Sequence, residues 1–170
     1  MASVVELTKP RPKALTPDRY ERFLAFAALA LLTAILIALV RGHAEWSKVP
    51  WTVWAHLSTI LVAVALTPVM MLRRRGDATH RLLGRIWVVA LIATAALSFA
   101  VRTINHGHLS YIHLLSAFTL VQVPLLWWSA RTHRVAAHRT AVRGMVTGGL
   151  LVAGFFTFPF GRLLGHWLFG

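Results

Sequence analysis

Long apolar runs separated by short, mostly basic segments dominate the chain. The first run, Phe23–Val40, is uninterrupted and is long enough to cross a hydrocarbon core about 30 Å thick. Later apolar runs predict helices over Val49–Leu72, Leu82–Val101, Leu109–Ala130 and Arg139–Phe160. The pattern therefore predicts an all-α integral membrane protein with about five transmembrane helices.

Residues 1–22 are polar and contain three prolines, so we expect a flexible tail there, followed by a transmembrane domain over residues 23–170. Thr16, Pro17 and Asp18 mark the start of the first helix, with the proline near its first turn. A cleaved signal peptide is the competing interpretation of the first run. The length of that run and of the tail before it favours a retained anchor.

The distribution of charge predicts how the chain is oriented. Fourteen of the 18 Lys and Arg residues lie on the side of the amino terminus, and four lie on the opposite side. Because an excess of basic residues marks cytoplasmic segments, the amino terminus is predicted to be cytoplasmic, in a bacterial inner membrane. The net charge of +13 does not indicate a nucleic-acid partner, since the basic residues stand between apolar runs, where orientation signals belong.

Two absences from the sequence limit its chemistry. The chain has no cysteine, which excludes disulfides, iron–sulfur clusters, covalently attached c-type haem and thiol catalysis. Its five acidic residues all lie outside the apolar runs, so a carboxylate relay through the membrane is not predicted. We find no nucleophile with a nearby base, and the sequence leaves open whether the protein is an enzyme.

An internal repeat relates residues of about 50–103 to residues of about 108–160. The first copy contains His80-Arg81-Leu82-Leu83-Gly84-Arg85 and the second His138-Arg139-Thr140-Ala141-Val142-Arg143. Before each motif, a histidine near a helix start, His56 or His113, precedes a proline late in the same helix. Both halves have the same orientation, so this is a parallel repeat about an axis along the membrane normal.

The repeat predicts two tiers of histidines. In an up-down bundle of helices 2–5, helix 2 faces helix 4 and helix 3 faces helix 5. His56 and His113 then meet near the outer ends, and His80 and His138 near the inner ends. From the helical rise, the two tiers lie roughly 20–25 Å apart.

Facing imidazoles at two depths are typical of b-type haem ligands. Neutral imidazole is an axial ligand of haem iron, and two of them leave no open site for oxygen. Arg81, Arg85, Arg139 and Arg143 are predicted to bind the haem propionates at the inner tier. Gly84 leaves room for the macrocycle. We therefore expect one or two haems b and a role in carrying electrons, with a quinone or a partner subunit as the exchange partner.

Structural explanations of the same residues stay open. Histidines and arginines at a membrane interface also bind backbone, lipid headgroups or neighbouring turns, and a duplication copies a structural histidine as readily as a ligand. The alternative function is a non-enzymatic scaffold, assembly factor or small subunit of a larger membrane complex, and a small-solute transporter is a third. Outer-loop residues His43, His106 and His108 have no assigned role, although the last two have the spacing of a divalent-metal site.

The doubled His-Arg-x-x-x-Arg motif resembles an uncharacterised bacterial multi-pass membrane family catalogued as a domain of unknown function, over residues of about 50–160. That resemblance implies fold and location only. The order of histidines on helices 2–5 is more distantly similar to the cytochrome b561 family of di-haem membrane proteins, which implies the pairs His56 with His113 and His80 with His138. This chain has five apparent helices where eukaryotic members have six, and no segment matches their substrate-binding regions.

Overall fold

A computed structural model describes residues 16–101 and 111–170, with the side chains of residues 111 and 112 excepted. The first fifteen residues of the tail predicted over residues 1–22, together with Arg102, His106 and His108, lie outside the described residues. Within them every regular element is helical. The long helices are α1 (Arg19–Arg41), α2 (Trp51–Leu72), α3 (Ala78–Ser98) and α4 (Tyr111–Arg131).

A fifth helical run follows α4 and changes its winding twice. It consists of α5 (Val135–Gly144), a π-helical segment (Met145–Val152) and the short α6 (Ala153–Phe155). Helix 5 was predicted over Arg139–Phe160, so the predicted bounds lie four to five residues beyond those of this run. The π segment was not predicted. The last helix, α7 (Leu163–Phe169), begins after the end of the last predicted helix and was not predicted.

Acidic N-caps fix where two of the helices begin. The Asp18 carboxylate accepts a hydrogen bond from the Glu21 backbone N–H, and the Glu21 carboxylate accepts one from the Asp18 backbone N–H, each 3.0 Å long. This reciprocal pair is a capping box at the start of α1. Asp77 accepts from the His80 backbone N–H at 2.6 Å. This cap starts α3 four residues before the predicted Leu82, because capping rather than hydropathy sets the first turn.

Three helices, α1, α2 and α3, are long and apolar enough to cross a membrane. Many of their large apolar side chains are exposed at the protein surface, among them Phe23, Phe26 and Val40 of α1. Water would not favour such a surface, whereas lipid solvates it. The protein is therefore a membrane protein.

The long helices pack against their neighbours in sequence, and the π segment packs back against α1. Leu24 of α1 shares one core with Val64, Trp87, Val123 and Leu150 from the other four helical runs. The sequence assigned this core to helices 2–5, and α1 belongs to it as well. A second core joins α1 and α2 to α7 at the end of the molecule where α1 ends and α2 begins. We call this the outer end, after the predicted orientation, and the opposite end the inner end.

Polar contacts also hold α2 against α3 inside the bundle. Trp87 is buried and donates from Nε1 to the Thr67 hydroxyl at 3.0 Å. Nearer the outer end the Thr94 and Thr59 hydroxyls lie 2.9 Å apart. Hydrogen bonds of this kind between helices stabilise membrane bundles by roughly 0.6–2 kcal/mol each.

Candidate functional site

A cavity of about 330 Å³ lies at the inner end of the molecule, where α2 and α4 end and α3 and α5 begin. Its volume is at the lower end of the range for small-molecule sites. His80 and His138, the predicted inner pair, both line it. The structure thus brings these two histidines, from the equivalent positions of the two repeats, to one cavity.

The ring nitrogens of this pair are held differently. The His138 Nδ1 lies 3.2 Å from the Leu126 carbonyl oxygen and therefore donates to it, which leaves Nε2 as the basic nitrogen. Metal-binding histidines commonly have their second nitrogen fixed in this way. The His80 Nδ1 is buried and has no hydrogen-bond partner among the described residues.

Arginines surround the cavity, but not all four of the predicted ones line it. Arg81, Arg85 and Arg139 do, whereas Arg143 is not among its lining residues. Arg75 and Arg131 line it as well, although both lie outside the two copies of the motif and were not predicted as site residues. The cavity is therefore cationic on the side of the helix ends.

Glu21 is the buried anion beside these arginines, with only 2% of its surface exposed. Its carboxylate accepts from the Arg139 Nε at 2.7 Å and the Arg143 Nη2 at 3.1 Å, and it contacts Arg75. Asp18 binds Arg143 and, at 2.9 Å, Arg139. The second copy of the motif thus binds the start of α1.

Asp18 is the N-cap of α1, so its carboxyl lies before the apolar run of that helix. The Glu21 backbone N–H, and after it the Arg143 guanidinium, hold the pKa of Asp18 below its usual value. This carboxyl is therefore ionised at neutral pH. The cluster was missed in the sequence, although the capping-box spacing from Asp18 to Glu21 before an apolar run was a signal for an ordered helix start.

The first copy of the motif has a different environment. Arg81 donates to the Gly76 carbonyl oxygen at 2.6 Å, and Arg85 is exposed beside the cavity. No carboxylate of the described residues forms an ion pair with Arg81 or Arg85. The two copies are therefore equivalent in sequence but not in charge balance.

Each histidine of the predicted outer pair contacts α3 or the residue that caps its end. The His56 Nδ1 lies 3.1 Å from the Thr94 carbonyl oxygen, so its Nε2 is also the basic nitrogen. His113 is buried on α4, with its ring centroid 5.5 Å from that of Phe99. Neither histidine lines the inner cavity or the second, apolar cavity, which lies beside α1.

The outer end is closed by α7. Trp167 donates from Nε1 to a Glu45 carboxylate oxygen at 2.8 Å, and this bond lowers the pKa of Glu45. The same carboxylate lies 4.0 Å from the Nε2 of His166, and this contact was not predicted from the sequence. An apolar cavity of about 410 Å³ lies between α1, the π segment and α7.

Within residues 16–101 and 111–170, no group of three or more His, Asp and Glu side chains is arranged to hold a metal ion. A haem iron between two imidazoles does not require such a group. No known protein family, characterised protein or solved structure matches this chain. The two family resemblances therefore stay predictions.

Proposed function

We propose that this protein binds b-type haem within the membrane and carries electrons. The observation that supports the proposal best is the inner cavity, which has one imidazole from each repeat and arginines of both motif copies in its lining. Two neutral imidazoles and several guanidinium groups are the donor set that haem iron and haem propionates require. When bound, the haem would supply reversible one-electron chemistry.

The residues around the inner cavity are suited to haem in three ways. Nε2 of His138 is left basic by the bond from its Nδ1 to Leu126, and His80 has a buried ring nitrogen that no described residue satisfies. Trp87, Val88 and Leu126 give the interior an apolar surface for a macrocycle. Gly84 lines the same wall, where a Cβ would meet only Met70, at 3.8 Å.

A second haem is proposed between His56 and His113. The bond from His56 Nδ1 to the Thr94 carbonyl supports it, because it repeats at the outer end the arrangement of His138 at the inner end. Two centres at different depths would provide a path for electrons across the membrane. A quinone or a partner subunit would exchange electrons with them.

Five spans and a cytoplasmic amino terminus belong to the same proposal. Besides the three apolar helices, α4 has 21 residues, and the fifth helical run has 10, 8 and 3 residues in its three parts, also 21. At 1.5 Å per residue each would cross about 30 Å. The arginine-rich inner end would then face the cytoplasm of a bacterial cell.

The test is the visible spectrum of the purified protein, expressed with ample haem. We expect a reducible b-type spectrum, with the inner component lost in His80→Ala and His138→Ala, and the outer one in His56→Ala and His113→Ala. His43→Gln and His166→Gln alter exposed histidines and are the matched controls. A correctly folded protein that stays colourless would refute the proposal.

The alternative is a non-enzymatic scaffold, assembly factor or small subunit of a larger membrane complex. It is favoured by the contacts of Arg139 and Arg143, which bind Asp18 and Glu21 and so join the second motif copy to α1. On this alternative the motif stabilises the inner end of the protein. The chain would be colourless and would tolerate glutamine at all four histidines.

A further inference from the structure

The arginines around the inner cavity form ion pairs on one side and are without a carboxylate partner among the described residues on the other. Arg75 and Arg139 contact the buried carboxylate of Glu21. Arg81, Arg85 and Arg131 line the cavity too, and in the described part of the chain none of them forms an ion pair. Unbalanced guanidinium groups beside an apolar interior favour an anion there, since bidentate binding of carboxylate or phosphate is their strongest interaction.

The unbalanced side lies where α3 and α4 flank the cavity. Toward the outer end these two helices are joined by the Ser98 and Ser116 hydroxyls and by the ring contact of Phe99 with His113. Toward the inner end the cavity lies between them, and Trp87, Val88 and Leu126 line its interior. The site therefore combines a cationic rim at the membrane edge with an apolar interior at membrane depth.

Arg131 contributes to this rim from the last residue of α4. Its guanidinium lies 6.0 Å from the ring centroid of Trp127, which also lines the cavity. A cation at this distance is attracted to the face of the indole ring. The contact holds the guanidinium beside the cavity, which Arg81 and Arg85 line from the first turns of α3.

We infer that the inner cavity binds an anionic amphiphile, whose carboxylate or phosphate is held by Arg81, Arg85 and Arg131 and whose apolar body enters between α3 and α4. Two sources share this chemistry: the propionates of haem and the headgroup of an anionic phospholipid. For haem, the inference rests on the proposed function and refines it. The propionates would then bind these three arginines rather than Arg139 and Arg143, whose charges Glu21 and Asp18 balance.

The experiment compares two double variants. R85Q/R131Q removes two rim charges, and R74Q/R134Q removes two exposed charges at the same end that do not line the cavity. A third variant, Gly84→Phe, fills the cavity sterically. Binding is measured with haemin, titrated into the protein in phosphatidylcholine nanodiscs, and with phosphatidylglycerol, counted as retained lipid by native mass spectrometry.

We expect R85Q/R131Q to weaken binding of one of the two probes by roughly tenfold or more for each charged hydrogen bond that is lost. R74Q/R134Q should leave that binding within about twofold, and Gly84→Phe should abolish it. His80→Gln and His138→Gln distinguish the sources. They would remove haemin binding and leave phosphatidylglycerol retention unchanged.

If haemin fails to bind but phosphatidylglycerol is retained in a manner that depends on Arg85 and Arg131, the haem proposal fails and this inference stands. If haemin is coordinated but R85Q/R131Q binds it as tightly as the wild type, this inference fails and the haem proposal stands. Equal effects of the two double variants on both probes would also overturn the inference, since the site would then attract anions only by its overall charge.

Discussion

Glu21 illustrates how a single buried carboxylate organises the inner end of this protein. Three arginines from two different segments converge on it, Arg75 from the α2–α3 turn and Arg139 and Arg143 from α5. A buried carboxylate is costly to desolvate, and it is stable here because its lone pairs are filled by charged donors. Removing it would leave three guanidinium groups close together with Asp18 as their one remaining carboxylate among the described residues.

We therefore predict that Glu21→Gln lowers the free energy of unfolding by about 3 kcal/mol, the cost of breaking a buried ion pair. Unfolding by SDS titration in mixed micelles measures it. Glu45→Gln is the matched control: Glu45 lies on the surface, and glutamine keeps an oxygen that accepts from Trp167, so we expect a change under about 1 kcal/mol. Equal losses in both variants would contradict the central role of Glu21.

Asp18 gives the inner end a dependence on pH. Its pKa is lower in the folded protein than the ordinary value of 3.8, so its ionised form stabilises the fold. That stabilisation is complete above the unfolded pKa and is lost as the pH falls through the lower folded pKa. Acid should therefore weaken the contacts of Asp18 with Arg139 and Arg143.

We expect Asp18→Asn to unfold at a lower temperature than the wild type near pH 6. This difference should shrink steadily as the pH falls below about 4, because the carboxyl of the unfolded chain is protonated first and that of the folded protein only at lower pH. Thermal unfolding in detergent at a series of pH values from about 3 to 6 measures it. A difference that stays constant across the series would mean that the charge of Asp18 does not contribute.

At the scale of elements, the sequence predicted the long apolar helices well and the shorter features poorly. α2 ends at the predicted Leu72, because a long apolar run ends abruptly at an arginine. The start of α3 was missed, since the Asp77 cap stabilises a polar first turn that hydropathy does not indicate. The π segment and α7 depend on packing between distant residues, which periodicity alone does not report.

The same division holds for the candidate site. The repeat predicted that His80 and His138 lie at the same end, and the structure places both in one cavity. The binding of Arg139 and Arg143 to the start of α1 was not predicted. These contacts join residues more than 100 positions apart in sequence, and the repeat gave both copies of the motif the same role.

The docking of α7 can be tested at Gly165. A Cβ at this position would overlap the Phe158 carbonyl oxygen, a backbone atom that cannot move without shifting the preceding turn. We expect Gly165→Ala to release α7. The backbone amides of α7 should then exchange hydrogen at least about tenfold faster than in the wild type, which corresponds to a decrease of about 1.4 kcal/mol in the free energy of local opening. Hydrogen-exchange mass spectrometry measures this rate.

Gly144→Ala is the matched control for that variant, because a Cβ at position 144 meets nothing within 4 Å. The substitution lies within a helical run, where alanine is favoured over glycine by up to about 1 kcal/mol. Exchange in α7 should be unchanged. If Gly165→Ala also leaves exchange in α7 unchanged, the close contact with Phe158 does not hold that helix in place.

At the scale of the whole molecule, the two ends of the described chain lie at opposite ends of the bundle. The start of α1 binds the arginines at the inner end, whereas α7 packs against the last turns of α1 and contacts Glu45 at the outer end. An odd number of membrane crossings is required if both ends are to reach water on opposite sides. The absence of cysteine makes this testable, since any introduced thiol is unique.

We predict that single cysteines at Ser47 and Gly170 react with a membrane-impermeant maleimide in intact bacterial spheroplasts. Cysteines at Thr79, at the exposed start of α3, and at Thr132, on the exposed turn after α4, should react only after permeabilisation. The physical reason is the charge difference of fourteen basic residues against four, which predicts that the inner end lies on the cytoplasmic side. Labelling of Gly170→Cys and Thr79→Cys from the same side would require an even number of spans. It would contradict the five proposed spans, because α3, α4 and the fifth helical run lie between these two positions and would cross the membrane three times.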